Sequence, residues 1–326
     1  MYKRQGNQCN KFGIKNPLIV TDNGSSRLPF IKELKDLLLK SNIQSDLFFD
    51  ISPNPREDEV SVGCKKFKNG NHDSIIAIGG GSAMDGGKLI CLTANNDVPL
   101  RDFEFELTPP KISKDNHFPK IITIPTTAGT GAETEITAMV TYIEEGMKFC
   151  MWHPDVRPVL ALVDPELTLG LPPSLTAWTG VDAMVHAIEG YCVPGFNPLC
   201  DGSAIESLSL ISKSLYLAVE EPKNLVARGG MHVGSYLGGV AFLKGLGLVH
   251  AISHMVGAEF NTQHGLTNAI ILPVVLRYNL PGMNEKVKRM SEAMQFEEHS
   301  VESFINNIEK MLDLSLIHIS EPTRLA

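Results

Sequence analysis

The chain has 326 residues, 43% of them hydrophobic, and Lys+Arg 29 against Asp+Glu 37 gives a formal charge of -8. That length and apolar content support about two packed domains and exclude disorder as the main state. The acidic balance repels phosphate backbones and anionic lipid, so neither nucleic acid nor a membrane is expected as a partner, and no apolar run reaches the roughly 18 residues that span a bilayer.

Residues 2 to 5 and 315 to 326 continue no hydrophobic pattern of their neighbours and resemble translated adapter DNA. The native piece is therefore expected to run from about Gly6 to about Leu312. From Pro17 the pattern alternates: an apolar strand at Leu18 to Thr21, a helix over Leu28 to Leu39, an extended Asp46 to Phe49, a helix over Glu57 to Phe67 and a strand at Ser74 to Ile78. A helix over Ala83 to Thr93, a polar loop holding Pro109, Pro110 and Pro119, and a buried strand at Lys120 to Ile124 follow. Such alternation implies a doubly wound parallel sheet. Near residue 170 β-branched runs give way to long helical periods. Pro172 and Pro173 are expected outside a helix that Ser174 caps. The fold class is thus α/β plus all-α: residues 1–170 a dinucleotide-binding domain and 171–326 a helical metal-binding domain. The six scattered cysteines, with no C-x-x-C spacing, read as reduced thiols of a cytoplasmic protein.

Gly79 to Lys88 leaves a buried strand and opens a helix, where backbone N–H groups and a helix N-terminus can hold a phosphate. The segment fails the P-loop pattern, because Ser82 stands where a glycine is needed and Leu89 follows Lys88. It also fits G-x-G-x-x-G poorly, and the acidic strand end, Asp22, precedes the glycines. A carboxylate there can accept both adenosine ribose hydroxyls and would repel a 2'-phosphate, which favours NAD over NADP. Pro125 to Glu133 again leaves a strand with small residues whose hydroxyls and amides suit a pyrophosphate or nicotinamide ribose.

In the helical half, Asp182 and His186 are four apart, as are His250 and His254, and His264 follows. At that spacing two side chains leave one face of a helix a turn apart, so four of these five residues can close one metal site. Nitrogen and carboxylate donors without thiolate suit Fe(II) or Zn(II).

With these motifs the chain resembles the iron-containing (group III) alcohol dehydrogenases, of the lactaldehyde and propanediol reductase kind, from about Pro17 to Asn279. The resemblance rests on Gly79 to Ser82 with Asp85 and Lys88, on Pro125 to Glu133, on Gly180 to Glu189 and on Gly245 through His264 to Tyr278. It implies a dehydroquinate synthase-like architecture, an NAD cofactor, and Asp182, His186, His250 and His264 as ligands of Fe(II), with Zn(II) possible. His254 then lies beside substrate or nicotinamide. Asp22 and Asn54 meet the adenosine side, Gly80, Gly81, Ser82, Asp85 and Lys88 surround the pyrophosphate, Thr126, Thr127 and Thr130 approach the nicotinamide half, and Lys148 lines the cofactor cleft.

The implied reaction interconverts a short primary alcohol, or a hydroxy acid, and its aldehyde. The partners implied are that small molecule and further copies of the chain in a homodimer or larger, and the family continues for several helices beyond this chain. The departures are Gly87, Val185, Glu133-Thr134-Glu135 and Ala241 to Lys244. Lys244 reads as a solvated lysine; facing the pocket instead, it would favour a carboxylate-bearing substrate. Two alternatives are a dehydroquinate synthase-like lyase, against which the apolar neighbours of His250 speak, and an inactive nucleotide-binding fragment.

Overall fold

The structure, a computed structural model, describes residues 5–113, 117–260 and 262–314; residues 2–4 and 315–326, read above as foreign, lie outside the described residues. The chain forms two compact units. The first takes the residues up to Thr126 together with Ala132–Leu167, and the second takes Thr127–Gly131 together with the chain from Thr168 onward.

In the first unit, β1 (Pro17–Val20), β2 (Asp46–Phe48), β3 (Ser74–Gly79), β4 (Lys120–Pro125) and β7 (Leu160–Ala161) make a five-stranded sheet in the order β2-β1-β3-β4-β7. All four pairings are parallel. The strands are apolar at nearly every position because both faces are covered, as parallel sheets require. Along β1 the side chains alternate: Leu18 and Val20 join one apolar cluster with Val60 and Phe67 of α3 (Glu57–Asn69) and Leu89 of α4 (Gly81–Ala94). Ile19 faces the other way, with Leu34 and Leu38 of α2 (Pro29–Lys40) and Cys9 of α1 (Gln5–Lys11). A separate antiparallel hairpin of β5 (Thr137–Tyr142) and β6 (Met147–Trp152), absent from the sequence-based expectations, turns at Gly146. Its half-polar alternation is that of a sheet with one solvated face.

The second unit is helical: α5 (Pro173–Cys192), α6 (Pro198–Glu220), α7 (Leu225–Ala241), α8 (Leu248–Phe260), α9 (His264–Asn279), α10 (Asn284–Ala293) and α11 (Val301–Leu314). α5 is buried almost all round and forms the centre of the apolar core with α6, α7 and α9. Its start corrects one expectation. Pro172 is the N-cap and Pro173 the first helical residue, where proline is tolerated because its missing N–H would have no intrahelical partner. Thr127–Gly131 counts with these helices through close backbone approach: Gly129 lies against Thr179 and Gly131 against Gly239. All six cysteines are free. No single helix among the described residues is long and apolar enough to cross a membrane.

Candidate functional site

In the sheet the chain leaves β1 toward β2 on one side and β3 toward β4 on the other, so the sheet order switches between β1 and β3. Loops that diverge at the carboxyl ends of two such strands open a ligand crevice. Asp22 stands two residues past β1. Its Oδ1 accepts the Ser25 N–H at 2.8 Å, and its Oδ2 lies 3.0 Å from the point a Cβ of Gly79 would occupy. Gly79 has φ +148°, which L side chains rarely adopt, and that Cβ would also stand 2.7 Å from the Cβ of Ala83. Gly80 then caps α4 without a side-chain hydrogen bond, which leaves the first-turn amides of the helix for an anion. Thr126 N–H donates to Gly79 O at 2.8 Å, bringing the end of β4 to the same edge.

Asn54 and Lys148 are also joined, Lys148 Nζ donating to Asn54 Oδ1 at 2.6 Å. Burial lowers the Lys148 ammonium, and neighbouring Asp85 partly offsets this. Burial raises Asp85 to about 6 against the attraction of Lys88. Lys88 itself departs from expectation. It is fully buried, and its Nζ donates to Thr137 O at 2.8 Å. Its charge serves the interior, where burial raises Glu133 to about 7 and Glu135 to about 8 while Lys88 opposes both shifts. Thr127 and Thr130 belong to the helical unit and Thr126 to the sheet unit.

In the helical unit Asp182, His186 and His250 present one donor atom each within 4.8 Å of one another, all buried. Asp182 Oδ1 is the hub: the Nε2 atoms of His186, His250 and His264 lie 3.9, 3.6 and 3.5 Å from it. Donors about 2.1 Å from one shared tetrahedral ion stand about 3.4 Å apart, so these spacings suit a divalent cation. The opposite nitrogen of each ring is anchored: His186 Nδ1 on Gly129 O at 3.2 Å, His250 Nδ1 on Glu189 at 2.7 Å, and His264 Nδ1 beside Ser253 Oγ at 3.1 Å. A carbonyl or carboxylate only accepts, so His186 and His250 donate from Nδ1, which leaves Nε2 as the atom each ring would offer a metal. His264 enters through the approach of α9 to α5: a Cβ on Gly265 would stand 2.1 Å from Trp178 O.

Burial alone would raise Asp182, but His186, His264 and His250 outweigh it and hold the carboxyl well below the usual range. Burial lowers His186 to about 4. For His250 burial also acts downward, yet hydrogen bonds to Asp182 and Glu189 raise it to about 9. A pocket that holds an imidazole proton so firmly between two carboxylates is one in which a cation can replace that proton.

His254 stands apart from the donors. It is half-buried on α8, edge-on to His250 with ring centroids 5.9 Å apart and stacked on His264 at 5.2 Å. Two polar residues escaped the sequence analysis. Asn268 is fully buried and donates to Asp182 Oδ1 at 2.7 Å; Glu189 holds His250. Helical spacing carried the signal for both, since Asn268 is one turn past His264 and Glu189 one turn past His186.

Residues 2–165 match the model of iron-containing alcohol dehydrogenases, and residues 176–322 match the C-terminal model of the Fe-containing alcohol dehydrogenase family. The chain belongs to the iron-containing alcohol dehydrogenase family. Alcohol dehydrogenase 4 of Schizosaccharomyces pombe is 37% identical over 308 residues, covering 94% of this chain and 72% of the relative. The NAD-dependent methanol dehydrogenase of Bacillus methanolicus is 35% identical over 90% of this chain and 76% of its own. Among solved structures, a 1,3-propanediol oxidoreductase superposes with a TM-score of 0.92 at 32% identity, covering 97% of this chain and 84% of that one. The protein is accordingly an oxidoreductase, an iron-type alcohol dehydrogenase with a parallel-sheet α/β domain and a helical domain.

Within this alcohol dehydrogenase Lys244 is not solvated. Its side chain is 4% exposed and forms an ion pair with Asp201. Its Nζ also donates to Tyr191 O at 3.1 Å, near the C-terminus of α5, where a cation is favoured. Lys244→Ala is expected to cost about 1–3 kcal/mol of stability, as for a hydrogen-bonded charge removed from a partly buried partner. It should leave the ratio of activity on neutral and acidic short alcohols unchanged. Denaturant titration and a substrate panel check both halves; a shifted ratio would return Lys244 to the substrate side.

Proposed function

We propose that the protein oxidises a short primary alcohol to its aldehyde with NAD, and catalyses the reverse reduction, at an Fe(II) ion held by Asp182, His186, His250 and His264. The observation that carries this reading is the convergence of three Nε2 atoms on Asp182 Oδ1. Zn(II) suits the same donors; the family name favours iron. When bound, such an ion supplies a Lewis acid that lowers the pKa of an alcohol hydroxyl.

The residues of the chain do the rest. Asp22 and Asn54 hold the adenosine side of NAD, and the amides at Gly80 and Gly81 with Ser82 hold the pyrophosphate at the start of α4. Asp85 and Lys148 flank it, and Thr126, Thr127 and Thr130 serve the nicotinamide half. NAD held at these residues would supply the acceptor for the hydride of the alcohol carbon, and His254 would take the hydroxyl proton, so that NADH, a proton and the aldehyde would result. The relative from Bacillus methanolicus, named for NAD and methanol, supports a small neutral substrate. So does Lys244, whose charge is spent on Asp201. A cytoplasmic homodimer or larger assembly belongs to the same proposal.

The test is NADH absorbance from anaerobically Fe(II)-loaded protein given NAD and methanol, ethanol or 1,2-propanediol. NADH should accumulate with alcohol and with metal. Folded, loaded protein that binds NAD yet forms no NADH with any of them would overturn the reading; a lyase would give that result.

A further inference from the structure

Asp182, His186 and Glu189 form one stripe on α5, at i, i+4 and i+7, along an otherwise apolar helix. Glu189 is 5% exposed, and a carboxylate so enclosed is costly unless fully hydrogen-bonded. Both of its oxygens are engaged by the start of α8. Oε2 accepts the Gly247 N–H at 3.0 Å and His250 Nδ1–H at 2.7 Å, and Oε1 accepts the Val249 N–H at 2.7 Å. Those amides belong to the turn where a helix has no partners of its own. The same carboxylate therefore caps α8 and orients the ring whose Nε2 lies 3.6 Å from Asp182 Oδ1.

Gly247 has the shape this arrangement needs. A Cβ there would stand 2.6 Å from Glu189 Oε1 and 3.0 Å from its Cδ. The side chain absent at Gly247 leaves the space in which the carboxylate sits.

We propose that Glu189 is a positioning residue of the metal centre: it fixes the tautomer and rotation of His250 and couples ion binding to the first turn of α8. The proposal rests on His250 being a ligand. A glutamine at this position has one accepting oxygen and one donating NH2. With the NH2 toward His250, Nδ1 must become the acceptor and the proton moves to Nε2, which removes the lone pair that a metal needs. With the NH2 toward Val249, two N–H groups face each other.

The experiment compares the full chain with Glu189→Gln, Gly247→Ala and His250→Ala. It measures Zn(II) affinity by competition with a chromophoric chelator, the Co(II) absorption spectrum, and amide hydrogen exchange at Val249 and His250. Glu189→Gln is expected to weaken Zn(II) binding about 10- to 100-fold, the usual loss when an outer partner of a metal-bound histidine is removed. It should also alter the Co(II) spectrum and speed exchange in α8, and Gly247→Ala should do the same by crowding the carboxylate out of place while its charge stays unchanged. Unchanged Zn(II) affinity and Co(II) spectrum with faster exchange alone would make Glu189 a helix cap and overturn the proposal. Should both variants fail to fold, nitrogen NMR of histidine-labelled, Zn(II)-loaded parent protein decides: a proton on His250 Nδ1 supports the proposal and one on Nε2 overturns it. Failure of the ligand reading looks different, since His250→Ala would then bind Zn(II) as tightly as the parent.

Discussion

His250→Ala is expected to lower kcat/KM for a short alcohol by about a thousandfold or more, because Lewis-acid activation is worth several kcal/mol and each 1.36 kcal/mol is a decade in rate. The ring supplies one of the three donor atoms of the buried set, with those of Asp182 and His186. Its removal leaves Asp182 with Asn268, His186 and His264. Glu189 keeps the Gly247 and Val249 amides, so the helical core retains its ties. The loss should therefore appear as missing metal and missing turnover in a protein that still unfolds cooperatively. His254→Ala is the contrast. Its ring lies outside the donor set, stacked on His264, so that variant should keep its metal while losing about 10²- to 10⁴-fold in rate, as for a general acid or base. Metal analysis beside kinetics checks both. Iron retained in the His250 variant and lost in the His254 variant would reverse the two assignments.

The two histidines show where the sequence stops informing. Both pairs at i, i+4 are visible in the chain, and spacing alone cannot say which member of a pair turns inward; in the structure His250 is the buried one, with Glu189 on its Nδ1. The parallel strands were legible because they are apolar runs between helical periods. The β5–β6 hairpin was not, because its residues mix buried and exposed positions and its turn at Glu144-Glu145-Gly146 lacks the usual Asn-Gly signal. The burial of Lys88 and Lys244 was illegible for one reason. A lysine reads as solvated or ligand-facing by default, whereas each is buried on a carbonyl, with acids beside it, that lies distant in sequence. Glu189 and Asn268 were hidden in plain helical spacing, since nothing local distinguishes a buried polar partner from a surface one.

The second large effect concerns the cofactor. Asp22→Asn keeps an oxygen for the Ser25 N–H, now accepted at 2.8 Å by Oδ1, so the loop after β1 should hold its shape. What it removes is the charge on the second oxygen, beside Gly79 at the switch point of the sheet. A hydroxyl bonded to a carboxylate gains about 1.5–3 kcal/mol, so NAD affinity should fall about 10- to 100-fold. A 2'-phosphate, by contrast, loses a repelling neighbour, and NADP use should rise. The kcat/KM ratio for the two cofactors should shift toward NADP by more than the NAD loss alone, with the melting temperature near that of the parent. Kinetics with both dinucleotides on the Fe(II)-loaded protein read this directly. An unchanged ratio would take Asp22 off the ribose and leave it a structural acid that fixes the Ser25 turn, with cofactor choice set elsewhere in the sheet unit.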